Sequence, residues 1–167
     1  MNDRERYLGF LYPYLGQGFE FDEIVQNGSP RHRLPPERLW VNMPLVLTLA
    51  NRIRGEWVAL GGHGLKVAAA YRPFGGASSS KHKINGALDL DILSIDKAMA
   101  EDWYRLVSKI WQTTPDMALG LYCPPDSLGG TRIHIDLRGR HVTWQHHRGV
   151  SIKSPLALRL GVDGLIA

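Results

Sequence analysis

The chain has 167 residues, 44% of them hydrophobic and 22% charged, with a formal net charge of +4. That length supports one domain with its own apolar core, and the composition excludes a disordered or fibrous protein. The single cysteine, Cys123, excludes an internal disulfide and a multi-thiolate metal site.

The positive charge favours anionic partners. It is dispersed rather than gathered in blocks, which argues against a nucleic-acid-binding protein. The N-terminus, MNDRERYLGFLYPYLG, mixes charges early and lacks the apolar stretch of a signal peptide. No segment approaches the run of about 20 apolar residues that a membrane span needs. These features predict a chain without an export signal of its own, cytoplasmic until released or virion-associated.

Residues 1–40 are rich in aromatics, Gly and Pro, and Pro30, Pro35 and Pro36 argue against long regular elements there. They read as an N-terminal arm packed on the domain. A helix is predicted over 44–56: Asn42 can cap it, Pro44 suits its first turn, and Leu45, Leu49 and Ile53 recur at helical spacing. Residues 65–71 and 87–93 read as strands, separated by the loop that holds Gly75-Gly76. Asp96 can cap a second helix, through Trp111, with an apolar stripe of Met99, Trp103, Leu106, Val107 and Ile110. Residues 118–123 form another strand. Residues 132–137 and 141–144 should make a hairpin around Arg138-Gly139-Arg140. This order predicts an α+β single domain: a mostly antiparallel sheet with flanking helices over 41–150, followed by a C-terminal tail, 151–167.

Three residues carry the chemistry. His82 and Asp89 lie seven positions apart with the turn Asn85-Gly86 between them, and His134 lies far along the chain in Arg-Ile-His-Ile-Asp. Taken singly, each is ordinary surface or strand chemistry. Together, two imidazoles and a carboxylate suit Zn2+, and three protein ligands leave one position for a water. Strand alternation makes Arg132, His134 and Asp136 point the same way, and by the same rule Asp89 and Asp91 share a face. Asp136 and Asp91 are thus candidates to orient the ligands.

The ordered pattern Tyr71-Arg72, Gly75-Gly76, Ser80-x-His82, Ala87-x-Asp89, and later His134-x-Asp136-x-Arg138-Gly139 with Trp144 downstream, resembles the M15-type zinc DD-peptidases. That group includes D-alanyl-D-alanine carboxypeptidases, phage endolysins and murein endopeptidases of the hedgehog/DD-peptidase fold. The likeness spans roughly residues 44–144. It implies a zinc-dependent hydrolase cleaving peptide bonds in peptidoglycan stem peptides or cross-links, as an endopeptidase or a DD-carboxypeptidase. It also implies that His82, Asp89 and His134 bind the metal, that Arg72 stabilises the developing oxyanion, and that Ser80 and Tyr71 lie toward the substrate.

Two departures stand out. Thr131 occupies the place, three before the second zinc histidine, where many relatives carry an acid, so the general base must come from elsewhere. Asp136 is the first candidate by face alternation, and Asp126 is the second. Gly86 follows His82 one place later than in the commonest form, with Asn85 at the usual glycine position. The alternative left open by Thr131 is a non-catalytic metal-binding structural or wall-binding protein of the same fold, such as a virion component. His146-His147 read as an exposed pair after a strand rather than as further ligands.

Overall fold

The computed structural model describes residues 1–25, 34–74, 77–122, 131–147 and 150–153. Among the described residues four α-helices, α1 (Asp3–Leu15), α2 (Phe21–Val25), α3 (Met43–Ala59) and α4 (Ala100–Gln112), accompany six strands. The strands are β1 (Leu65–Ala69), β2 (Ala87–Ile92), β3 (Met117–Tyr122), β4 (Ile133–Leu137), β5 (Val142–His147) and β6 (Val150–Lys153). They form one sheet in the order β1-β2-β4-β3-β5-β6, antiparallel throughout except where β5 runs parallel to β3. The α+β class with a mostly antiparallel sheet is therefore present.

The sheet has an apolar face and a polar one, because its central strands alternate. Leu88, Leu90, Ile133, Ile135, Leu119 and Leu121 are all fully buried in the core. The stripes of α3 and α4 close over this face. Trp103, Leu106, Val107 and Ile110 are buried as their spacing predicts, with Met99 packed at the margin. On α3 the buried stripe is Val46, Leu49, Ala50, Ile53 and Trp57, while Leu45 points outward at 66% exposure.

The predicted hairpin of residues 132–137 and 141–144 does not form. Both edges of β4 are already occupied: His134 faces Asp89 of β2 on one side and Gly120 of β3 on the other. The chain therefore turns at Gly139, whose φ of 68° suits glycine, and β5 pairs with the far edge of β3.

The N-terminal arm also differs from expectation. Residues 3–15 form a 13-residue helix that continues through Pro13. Asn2 and Glu5 make a reciprocal capping box, with Glu5 N donating to Asn2 Oδ1 at 3.0 Å and Asn2 N to Glu5 Oε2 at 2.8 Å. Tyr7, Leu11 and Leu15 recur every four residues and enter the same core as α3 and the sheet.

The predicted caps are used differently. Asn42 is helical, makes no capping bond, and donates its amide to Ile84 O at 2.7 Å. Asp96 lies in a 3-10 turn, Ser94–Met99, ahead of α4. Its carboxylate accepts from His63 N at 2.9 Å, His63 Nδ1 at 2.7 Å and Trp57 Nε1 at 3.2 Å. Of the predicted tail, residues 151–153 belong to β6; 154–167 lie outside the described residues, as do Cys123, Asp126 and Gly75-Gly76. Among the described residues no helix is long and apolar enough to cross a membrane.

Candidate metal centre

His82 sits in a 3-10 turn, Lys81–Ile84, between β1 and β2. Asn85 ends that turn in the left-handed conformation, φ 58°, which asparagine tolerates better than most residues. The turn is tied on three sides. Arg72 N donates to His82 O at 3.1 Å, Asn42 donates to Ile84 O, and Asn85 Nδ2 donates to Tyr7 Oη at 2.8 Å and to Leu39 O at 3.2 Å. Asp89 and His134 need no such bracing, because they face each other directly across the β2–β4 ladder.

The three side chains converge. His82 Nε2 lies 3.1 Å from Asp89 Oδ1 and 3.1 Å from His134 Nδ1, and His134 Nδ1 lies 2.9 Å from Asp89 Oδ1. All three residues are buried, at 2%, 4% and 5% exposure. Among the described residues they are the His/Cys/Asp/Glu group placed to hold a metal ion.

The outer ring nitrogens decide what the inner ones present. His82 Nδ1 faces the carbonyl oxygen of Ala70 at 2.5 Å, and His134 Nε2 faces Asp136 Oδ2 at 2.9 Å. Both partners only accept, so both outer nitrogens carry the hydrogen. In neutral imidazoles the inner nitrogens are then lone pairs, turned toward each other and toward Asp89 Oδ1. Three acceptors about 3 Å apart in a buried site repel unless a cation lies among them. One proton satisfies at most two of them at once; a divalent ion satisfies all three. Zinc ligands at 2.0–2.2 Å with tetrahedral angles lie roughly 3.3–3.6 Å apart, so the triangle, with sides of 2.9–3.1 Å, needs to open by roughly half an ångström.

The charges agree with this arrangement. Burial pushes the Asp89 carboxyl up, but the two imidazoles outweigh it and hold the group well below the usual carboxylate range. Burial pushes the His134 imidazole down, and its hydrogen bonds to Asp136 and Asp89 outweigh that, leaving it raised. Asp136 is raised by burial and lowered further by Arg138 and His134, so its net direction is down.

The remaining predicted residues fall around this triangle. Asp136 is fully buried, meets the outer nitrogen of His134, and is held by Arg138 through Nε at 2.8 Å and through Nη2. That placement, behind the imidazole, suits an orienting role. Arg72 places Nη2 3.3 Å from Asp89 Oδ2, the oxygen the imidazoles leave free, with its side chain 35% exposed. Tyr71 is half-buried next to it. Ser80 opens the 3-10 turn through its backbone, accepting from Lys83 N at 3.2 Å. Thr131 is buried and its carbonyl accepts from Trp103 Nε1 at 2.8 Å, so it brings no acid to the centre. Asp91 does not touch an imidazole; it pairs with Arg132.

No family model, curated protein or solved structure matches the chain.

Three further residues shape the centre without having been singled out from the sequence. Gly120 faces His134 across β3–β4 and Trp144 across β3–β5. A Cβ there would lie 2.5 Å from the Trp144 indole, so glycine is what lets that ring lie against the sheet. The indole packs on the His134 ring, centroids 5.2 Å apart, and carries the Arg138 guanidinium on it at 5.3 Å. Tyr122, two residues on from Gly120, is pushed up to about 12 by burial and by Asp89, against the opposing pull of Arg72 and Arg132. It stays a phenol near neutral pH. Period-two alternation along 118–122 was the available signal for both residues. Tyr7 is the third, and nothing in its local sequence ties it to residue 85.

Proposed function

We propose that the chain is a zinc-dependent peptidase of the hedgehog/DD-peptidase type, hydrolysing amide bonds in peptidoglycan stem peptides. The observation that carries this reading is the buried triangle of His82 Nε2, His134 Nδ1 and Asp89 Oδ1, with both outer nitrogens tied to acceptors. A divalent cation bound there supplies Lewis acidity and brings the pKa of water toward about 7. Hydrolysis adds water across the C–N bond, the hydroxyl to the carbonyl carbon and a proton to the departing amine.

The chain's own residues serve that reaction in distinct ways. His82 and His134 are fixed in one tautomer each, so no reorganisation is needed to present their lone pairs. Asp136 and Arg138 lock the ring of His134 from behind, and Trp144 covers its flank. Arg72, half exposed beside Asp89, is the cation placed to receive negative charge developing on a carbonyl oxygen. Tyr122 supplies a phenol on the same face.

The test is digestion of purified murein peptides, with products identified by mass, by protein before and after metal removal. Loss of cleavage with a chelator and its return with zinc supports the reading. Full cleavage by metal-free protein contradicts it. Stoichiometric zinc without turnover on any muropeptide would instead favour a non-catalytic metal-binding protein, the reading that Thr131 motivates.

A further inference from the structure

Residues 38–55 and 65–88 together hold seven lysines and arginines and no aspartate or glutamate. The acids that border these segments are engaged. Glu37 pairs with Arg6 at 2.7 Å, Glu56 pairs with Arg52 at 3.0 Å, and Asp89 belongs to the cation triangle. The two segments meet at one place. A 3-10 turn, Glu37–Asn42, leads into α3, and the turn Lys81–Ile84 lies against its end. Asn42 Nδ2 donates to Ile84 O at 2.7 Å, and a Cβ on Gly86 would meet Ile84 Cγ1 at 3.7 Å and Asn42 Cβ at 3.8 Å.

Residues three apart eclipse one another in a 3-10 turn. The first turn therefore sets Arg38 and Val41 on one edge, and the second sets Lys81 and Ile84 on one edge, with Lys83 beside them. Leu45 continues the line of Val41 one turn into α3. Val41 and Leu45 are each 66% exposed and Ile84 is 40% exposed. Among the described residues Arg38, Lys81 and Lys83 are in no ion pair. Three branched aliphatic side chains thus stand out from the surface with three unpaired cations interleaved.

The chemistry of this ridge selects its partner. The aliphatic side chains gain free energy in an apolar layer, and the cations gain it from anions at the border of that layer. Lysine and arginine stems can lie along such a border while their heads stay in the polar zone. A soluble anionic polymer would answer the cations and leave the aliphatics in water. A specific protein partner covers about 800 Å² on each side, far more than these few side chains present.

We propose that this ridge docks the chain on the surface of an anionic lipid bilayer. Val41, Leu45 and Ile84 enter the acyl boundary, and Arg38, Lys81 and Lys83 face the headgroups. Ile84 lies two residues from His82, so the docked chain holds its cation site close to the bilayer. The inference does not depend on the hydrolase reading.

Co-sedimentation of the full chain with large unilamellar vesicles tests it. Vesicles of phosphatidylglycerol and phosphatidylcholine in equal parts should pellet wild type, whereas phosphatidylcholine alone should not. Raising salt from about 0.1 M to about 1 M shortens the Debye length from about 10 Å to about 3 Å and should release the chain. Leu45→Ser should weaken binding about 10-fold, from the loss of one aliphatic side chain, and Arg38→Gln about 5-fold, from the loss of one cation. Both positions are exposed, so neither change disturbs the core. Ile95, 68% exposed beyond the opposite end of β2, is the control: Ile95→Ser should bind as wild type does. Equal binding to anionic and neutral vesicles overturns the proposal, and so does wild-type binding by both Leu45→Ser and Arg38→Gln. Binding to soluble polyglutamate as tight as to vesicles, and indifferent to Leu45→Ser, would overturn it in favour of a soluble anionic partner.

Discussion

Asn85 Nδ2 donates to the hydroxyl of Tyr7 at 2.8 Å, joining the first helix to the turn that carries His82 across 78 positions of sequence. Both residues are fully buried. Burial pushes the Tyr7 phenol well up, and the Asn85 bond only partly offsets this, so the hydroxyl stays protonated across the usable pH range. The N-terminal arm is therefore a brace for the turn that carries His82. Tyr7→Phe removes the bond while keeping the ring, and should cost about 1 kcal/mol in urea unfolding, the net worth of a typical hydrogen bond. It should also weaken zinc binding. Unchanged zinc affinity together with the expected loss of stability would show that the brace serves folding alone.

Asp136 is placed to orient His134, not to touch a substrate. Asp136→Asn keeps the shape but weakens the acceptor on His134 Nε2 and the pairing with Arg138. Zinc affinity should fall about 10- to 100-fold by competition with a chromophoric chelator. A variant with unaltered zinc affinity and abolished hydrolysis would instead assign Asp136 the base role.

Gly120 holds open the space that Trp144 fills. Gly120→Ala puts a methyl 2.5 Å from the indole in the middle of a paired strand, where backbone cannot yield easily. A loss of about 1–3 kcal/mol is expected, as for other overpacked interiors. Trp144 fluorescence should shift as the ring is displaced from His134. Wild-type stability and spectrum would show that the ring has an alternative seat.

Proton competition at the centre has a defined sign. Burial pushes the His134 imidazole down, but its hydrogen bonds to Asp136 and Asp89 leave it raised above its ordinary 6.5, so a bound cation competes with a proton held more tightly than on a free imidazole. Apparent zinc affinity should rise with pH through and beyond 6.5. Affinity independent of pH between 6 and 8 would contradict the raised imidazole.

A separate pH effect belongs to Asp96. Burial raises its carboxyl, but the His63 side chain and backbone and Trp57 outweigh that and hold it below 3.8. A carboxyl lowered in the folded state contributes stability that is complete above its unfolded value and is lost as pH falls through the folded one. Wild type should lose more stability than Asp96→Asn on acidification below about pH 4. Parallel acid profiles would show that Asp96 does not contribute to that loss.

Much of this centre was legible because its geometry follows from local rules. Alternation along a strand puts Asp89 with Asp91, and Arg132 with His134 and Asp136, on shared faces, and the ion pairs observed there agree. The apolar stripe of α4 was equally plain. What escaped depended on partners distant in sequence. The turn at Arg138-Gly139-Arg140 looked like a hairpin because nothing local reveals that both edges of β4 are taken. Asn42 and Asp96 looked like caps because those residue types favour helix starts, whereas Ile84 O and His63 are their partners in space. Proline content hid α1, although Asn2 and Glu5 stood three residues apart as a capping-box signal.

The most direct measurement is zinc stoichiometry by elemental analysis of wild type, His82→Ala, Asp89→Ala and His134→Ala after exhaustive dialysis against a fixed low level of free zinc. One zinc per chain in wild type and none in the three variants is expected from a single cation held by two imidazoles and a carboxylate. A wild-type protein that emerges free of zinc, or variants that retain it in full, would contradict a metal centre at this triangle.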